Sequence, residues 1–137
     1  MFARCVAALE TQPWAPWTAI AAQRLGNATI AKRCANVLAR SVRGGAPYEG
    51  GVGFRDVPEV ALTALVVEAL AGAEDARSKR AAASARAFLR TWQHQPKPLR
   101  GPIDPTHAAG GFPLSPVVDV LRADVTAHAL LALKSAG

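Results

Sequence analysis

The feature that most restricts the fold of this chain is a segment that recurs three times. Trp17-Thr-Ala-Ile-Ala-Ala-Gln-Arg-Leu-Gly26, Leu62-Thr-Ala-Leu-Val-Val-Glu-Ala-Leu-Ala-Gly72 and Val125-Thr-Ala-His-Ala-Leu-Leu-Ala-Leu133 each carry a Thr-Ala pair near their start. The threonines, Thr18, Thr63 and Thr126, are spaced by 45 and then 63 residues, so the second interval holds an insertion. All three segments are apolar on nearly every side, the pattern of helices buried all round. Between them run segments of another kind. In Ile30 to Val42, Ile30, Cys34, Val37 and Leu38 share one face, and Lys32, Arg33, Asn36, Arg40 and nearby Arg43 take the other. Arg77 to Trp92 repeats this, with Ala81, Ala85, Phe88 and Trp92 set against Lys79, Arg80, Arg86 and Arg90. Phe2 to Leu9 reads as the end of a third such helix. Alternation of amphipathic and buried helices predicts a two-layer stack of helix pairs.

Composition supports a helical reading. Half of the 137 residues are apolar, and alanine, which loses no side-chain entropy in a helix, dominates that half. The expected class is all-α, in one domain of three helix-pair repeats at about 1–43, 44–94 and 95–137. Six helices are expected, at about 2–11, 15–25, 28–43, 58–72, 75–92 and 117–135, the last breaking near Arg122. Gly26 and Gly72 suit left-handed closing positions. Asn27 and Asp75 suit caps, Asp56-Val-Pro-Glu59 a capping box, and Ser115-Pro116 a similar start.

Several function classes are disfavoured. Cys5 and Cys34 form no CxxC pair and read as buried thiols in a reducing compartment. There is no leader-like start and no apolar run of membrane-spanning length, so a cytoplasmic protein without a transmembrane segment is expected. The net charge is +6, but its Lys and Arg occur as singles and pairs without aromatic interleaving. That predicts solvated helix faces and no nucleic-acid partner. Glycine-rich turns, Tyr48-Glu-Gly-Gly-Val-Gly-Phe54 and Ala109-Gly-Gly-Phe-Pro-Leu-Ser115, lack the strand and the Gly-Lys-Ser/Thr ending of a phosphate loop. They read as tight turns tucking an aromatic under the next helix. His94, Asp104 and His107, around a proline-rich insertion, have no spacing that demands a metal. No metal and no cofactor is expected.

Helix pairs separated by Gly-Gly-aromatic turns resemble the toroids of squalene and oxidosqualene cyclases and of protein prenyltransferase β-subunits. The strongest local likeness is Gly110-Gly-Phe-Pro-Leu-Ser115 followed by Asp124-Val-Thr-Ala-His128. It is similar to the Gly-Gly-Trp-Pro-Phe-Ser and Asp-Cys-Thr-Ala-Glu runs of oxidosqualene cyclases, with Phe112, like Phe54 in the preceding turn, in place of tryptophan. The resemblance implies an α/α toroid, of which this chain supplies about half. It also implies that Asp124 stands where the family keeps its protonating acid.

On that basis Asp124 is the candidate general acid for isoprenoid cyclisation and His128, one turn on, its tuning partner. Trp14, Trp17, Phe54, Phe112 and Thr126 are the candidate substrate-binding residues. A buried start of helix raises a carboxyl pKa by desolvation; the same place also suits an ionised, structural carboxylate. The alternative is a non-catalytic helical-repeat binding module or scaffold using its concave inner face. A half-ring exposes apolar inner faces. It is therefore a piece of a longer protein, one of two copies closing a ring, or a stack that binds an apolar isoprenoid-like ligand or a partner.

Overall fold

A computed structural model describes residues 15–53, 56–93 and 109–134. Within them lie helices α1 (Ala15–Arg24), α2 (Ala28–Ser41), α3 (Val60–Leu70) and α4 (Ala76–Trp92). A hairpin of β1 (Pro113–Ser115) and β2 (Val118–Leu121) follows, and then α5 (Ala123–Lys134). The protein is thus mainly helical, as expected. The expected first helix lies outside the described residues, as do Cys5, His94, Asp104 and His107. No helix among the described residues is long and apolar enough to cross a membrane.

The helix starts and stops have local causes. Asn27 accepts a hydrogen bond from the Ile30 amide at 3.1 Å, and Asp75 accepts one from the Ser78 amide at 2.9 Å, so α2 and α4 carry the expected caps. At the end of α1, Gly26 takes φ +69°, the Asn27 amide donates to the Ala22 carbonyl and the Gly26 amide to that of Gln23. That paired pattern is the Schellman closure, which needs a residue free to be left-handed. Gly72 does not repeat it. Helix α3 instead closes through short turns from Ala71 to Glu68 and from Ala73 to Leu70. The Gln23 side chain donates to the Ala69 carbonyl at 2.7 Å, satisfying a terminal acceptor from a neighbouring helix.

Two further expectations are corrected. The Asp56–Glu59 capping box does not form: Glu59 caps α3 in an extended conformation without a side-chain bond. Its amide is taken by the Val52 carbonyl at 2.9 Å, and Pro58 is buried beneath the glycine turn. The chain is held extended there until Val60. Likewise, 117–121 is not the start of a long sixth helix. Pro116 and Val117 form the tip of an antiparallel hairpin in which Ser115 faces Val118 and Pro113 faces Leu121, with an irregularity between the two pairs. Proline has no amide to donate and suits the tip. The β-branched Val118 and Val120 prefer the pleated conformation to a helix.

Helix α3 is the centre of the molecule. It packs between α1 and α5, and α2 and α4 cover these helices while packing against one another. Nine residues of α3 are buried, and all of them but Thr63 feed two cores. Leu62, Leu65, Val66, Ala69 and Leu70 meet Ile20, Cys34, Leu38 and Ala82. Val60, Ala64 and Val67 meet Phe88, Leu89, Phe112, Val125 and Ala129. A helix shared between two cores must be apolar all round, which explains its composition.

Candidate functional site

The glycine turns are built alike. In the first, Gly50 adopts φ +84°, and the amide of Val52 donates to the Thr63 hydroxyl at 3.0 Å. In the second, Gly110 adopts φ +81°, and the amide of Phe112 donates to the Thr126 hydroxyl at 3.1 Å. The threonines therefore anchor the turns, and the Thr63 hydroxyl also donates to the Glu59 carbonyl at 2.8 Å. The residue in the first turn that corresponds to Phe112 is Val52, not Phe54. Both Val52 and Phe112 are buried, whereas Phe54 lies outside the described residues. Phe112 is a core residue with no exposed surface, and Thr126 uses its hydroxyl on the turn. These two residues, expected to touch substrate, are engaged in fastening the second glycine turn to α5 and to the core beneath it. Gln93 bridges the insertion by donating to the Gly110 carbonyl at 3.3 Å.

Asp124 stands in the first turn of α5, exposed to solvent. Its carboxylate is gripped by Arg122, whose Nε donates to Oδ1 at 3.0 Å and whose Nη2 donates to Oδ2 at 2.7 Å. This two-pronged bond holds the Asp124 pKa below the ordinary carboxylate value, against a smaller opposing effect of desolvation. The raised pKa expected of a buried acid is therefore overturned. The carboxylate is solvated, ionised at neutral pH and favourably placed at a positive helix end. The sequence signal for its partner was an arginine two residues before it, outside the helix.

His128 does not pair with Asp124, whose partner is Arg122. Its Nδ1 is buried and has no hydrogen-bond partner among the described residues. The ring instead meets Trp17 edge-on, with centroids 5.7 Å apart and planes at 78°. Trp17 belongs to α1 and His128 to α5, the two neighbours of α3. Their contact thus passes over the α3 side left uncovered by α2 and α4, where Ala61 and Glu68 are only half-buried. Trp17 is 46% exposed and Leu131, one turn beyond His128, is 57% exposed. On the same side Arg24 approaches Glu68 at 3.8 Å. Trp14, the other tryptophan expected here, lies outside the described residues.

The cavities do not centre on these groups. One of about 800 Å³ lies where α1 and α3 end and α2 and α4 begin, between Gln23, Lys32 and Asp75. A smaller one of about 420 Å³ opens between Gln93, the Gly110 turn, Arg122 and Thr126. Neither is lined by Asp124, His128 or Trp17. On α1 and α5, Trp17 and Leu131 stay exposed, and Asp124 at the start of α5 is solvated rather than enclosed. Among the described residues no group of three or more metal-binding side chains converges. No family model, curated protein or solved structure matches the chain.

Proposed function

We propose that this protein is a squalene-cyclase-like helical-repeat module, built as an arc of an α/α toroid. In this reading it binds an apolar, isoprenoid-like ligand on its inner face and does not itself start cyclisation by protonation. The observation that carries this reading is the Trp17–His128 pair. A half-exposed tryptophan lies edge-on to a histidine with a buried, unpartnered nitrogen, beside exposed Leu131. Such a surface offers a hydrophobic platform with one polar contact, the usual make-up of a small-molecule site. Asp124 argues against the catalytic alternative, because a carboxylate held ionised by Arg122 has no proton to give at neutral pH.

The test is a titration of the purified chain with farnesol and with squalene dispersed in detergent, followed by tryptophan fluorescence and calorimetry. Trp17→Ala is expected to weaken binding about tenfold, equivalent to about 1.4 kcal/mol. Equal binding by that variant would remove the proposed site. Turnover of squalene-like or prenyl diphosphate substrates that disappears in Asp124→Asn would establish the cyclase alternative instead.

A further inference from the structure

The basic residues that are scattered along the chain are gathered by the fold. Helices α2 and α4 hold eight of the sixteen Lys and Arg residues, namely Lys32, Arg33 and Arg40 on α2 and Arg77, Lys79, Arg80, Arg86 and Arg90 on α4. Neither helix contains an Asp or Glu. The two pack against each other, and both start at the same end of the molecule, where Ala28 and Asp75 line one cavity. Their buried faces, Cys34, Ala35, Leu38 and Ala39 on α2 and Ala81, Ala82, Ala85, Phe88 and Leu89 on α4, are turned to the other helices. Their outer faces therefore point away from the inner layer together, and every one of the eight except half-buried Arg86 is exposed. The nearest acids lie at the margin. Glu74 and Asp75 sit at the N-terminal end of α4, Asp75 being used as its cap, and Glu49 sits in the turn beside Ser84 and Phe88. The result is a broad cationic face on the side opposite the Trp17–His128 surface.

We infer that this two-helix face docks the protein on an anionic membrane surface. Charge complementarity selects an anionic partner, and the form of the face selects which one. Helices lying side by side offer a broad surface rather than a reading element projecting into a groove, as sequence-specific duplex recognition requires. Of the rings on these helices, Phe88 is buried and Trp92 is half-buried against it at 6.2 Å, so neither projects from the face as a free ring on which bases would stack. A plane of lipid phosphates and carboxylates makes neither demand. Each exposed Lys or Arg close to it adds to attraction, irrespective of spacing. The inference is independent of what the inner face binds.

The experiment is flotation of the full chain with vesicles of pure phosphatidylcholine and with vesicles containing about 30% phosphatidylserine, at about 0.1 M and 0.5 M salt. Binding is expected to the anionic vesicles alone and to be lost at the higher salt. The double variant Arg80→Glu/Arg90→Glu is compared with Arg24→Glu/Lys134→Glu, which changes net charge equally on other surfaces, with circular dichroism confirming that both fold. The outer-face variant is expected to bind at least about tenfold more weakly than the control variant, as several lost charge contacts imply. No anionic binding at low salt, or equal loss in both variants, would overturn the inference. So would a competing 20-base-pair duplex that strips the protein from vesicles at equal phosphate concentration, which would mark the face as a nucleic-acid surface.

Discussion

The Gly50 turn and the Gly110 turn share a left-handed glycine, a buried apolar residue two positions on and a threonine anchor, yet they sit in different surroundings. A methyl group added at Gly50 would stand 2.2 Å from the backbone oxygen of Ser84, and one at Gly51 would stand 2.7 Å from Pro58. At Gly110 nothing lies within 4 Å. The first turn is thus wedged between α4 and the extended run into α3. The second is held by Phe112, by Thr126 and by the Gln93 amide on the Gly110 carbonyl, and it leads into a hairpin before α5 begins. The same local motif serves as a fixed joint ahead of α3 and as an open margin ahead of α5. Arg122 and Asp124 are found at that open margin.

Exchanging side chains between the turns is the sharpest way to break this comparison. Phe112→Ala is expected to cost about 3–5 kcal/mol, because it empties a fully enclosed aromatic site in the second core. Val52→Ala should cost about half as much, since it removes only two methyl groups. Urea unfolding monitored by circular dichroism measures both, and equal losses would mean that the turns are equally braced.

Next in size is the contrast between the glycines. Gly50→Ala combines a left-handed conformation with a backbone overlap and is expected to cost about 3 kcal/mol or more. Gly110→Ala incurs only the conformational term, about 1–2 kcal/mol. A larger loss at Gly110 would show that the second turn is the tighter one.

The smallest effect belongs to the margin itself. The folded pKa of Asp124 is depressed below the ordinary 3.8. The unfolded chain therefore binds this proton more readily, and the stabilising contribution is complete above about pH 4. It fades as pH falls through the folded value. Arg122→Ala should move the Asp124 titration, followed by NMR of its carboxyl carbon, back up towards 3.8, with little change in stability at pH 7. A titration that stays depressed would show that the helix end, and not Arg122, holds the charge.

Much of the scaffold was legible because its causes are local. Asn27 and Asp75 each reach an amide three residues ahead, so their caps follow from neighbouring sequence alone. Gly26 could be placed for the same reason. The all-round apolarity of α3 likewise announced a helix with neighbours on most sides. The errors occurred where a distant partner outweighed a local preference. The Asp56–Glu59 box was displaced by the Val52 carbonyl, and Gly72 was relieved of its closing role by Gln23. Ser115-Pro116 reads equally well as a helix start or a hairpin tip. The valines after it decided the matter, since their alternation can be satisfied by pairing with Pro113 to Ser115.

The site was legible as a set of residues but not as an arrangement. Asp124 and His128 are four apart on one helix, a spacing that suggests a pair. The carboxylate instead meets a guanidinium that arrives from the strand side of the helix start, and the imidazole meets a ring from the first helix. Sequence by itself determined four of the helices, the Asn27 and Asp75 caps, the Gly26 closure and the apolar centre in α3, because those depend on hydrogen bonds and periodicities spanning a few residues. Tertiary structure decided whether Asp124 is protonated or ionised, what His128 touches, and whether scattered basic residues act as one face. For His128 and for the basic face those outcomes depend on contacts between residues far apart in the chain; for Asp124 they depend on solvent exposure and on how the hairpin delivers its near neighbour Arg122.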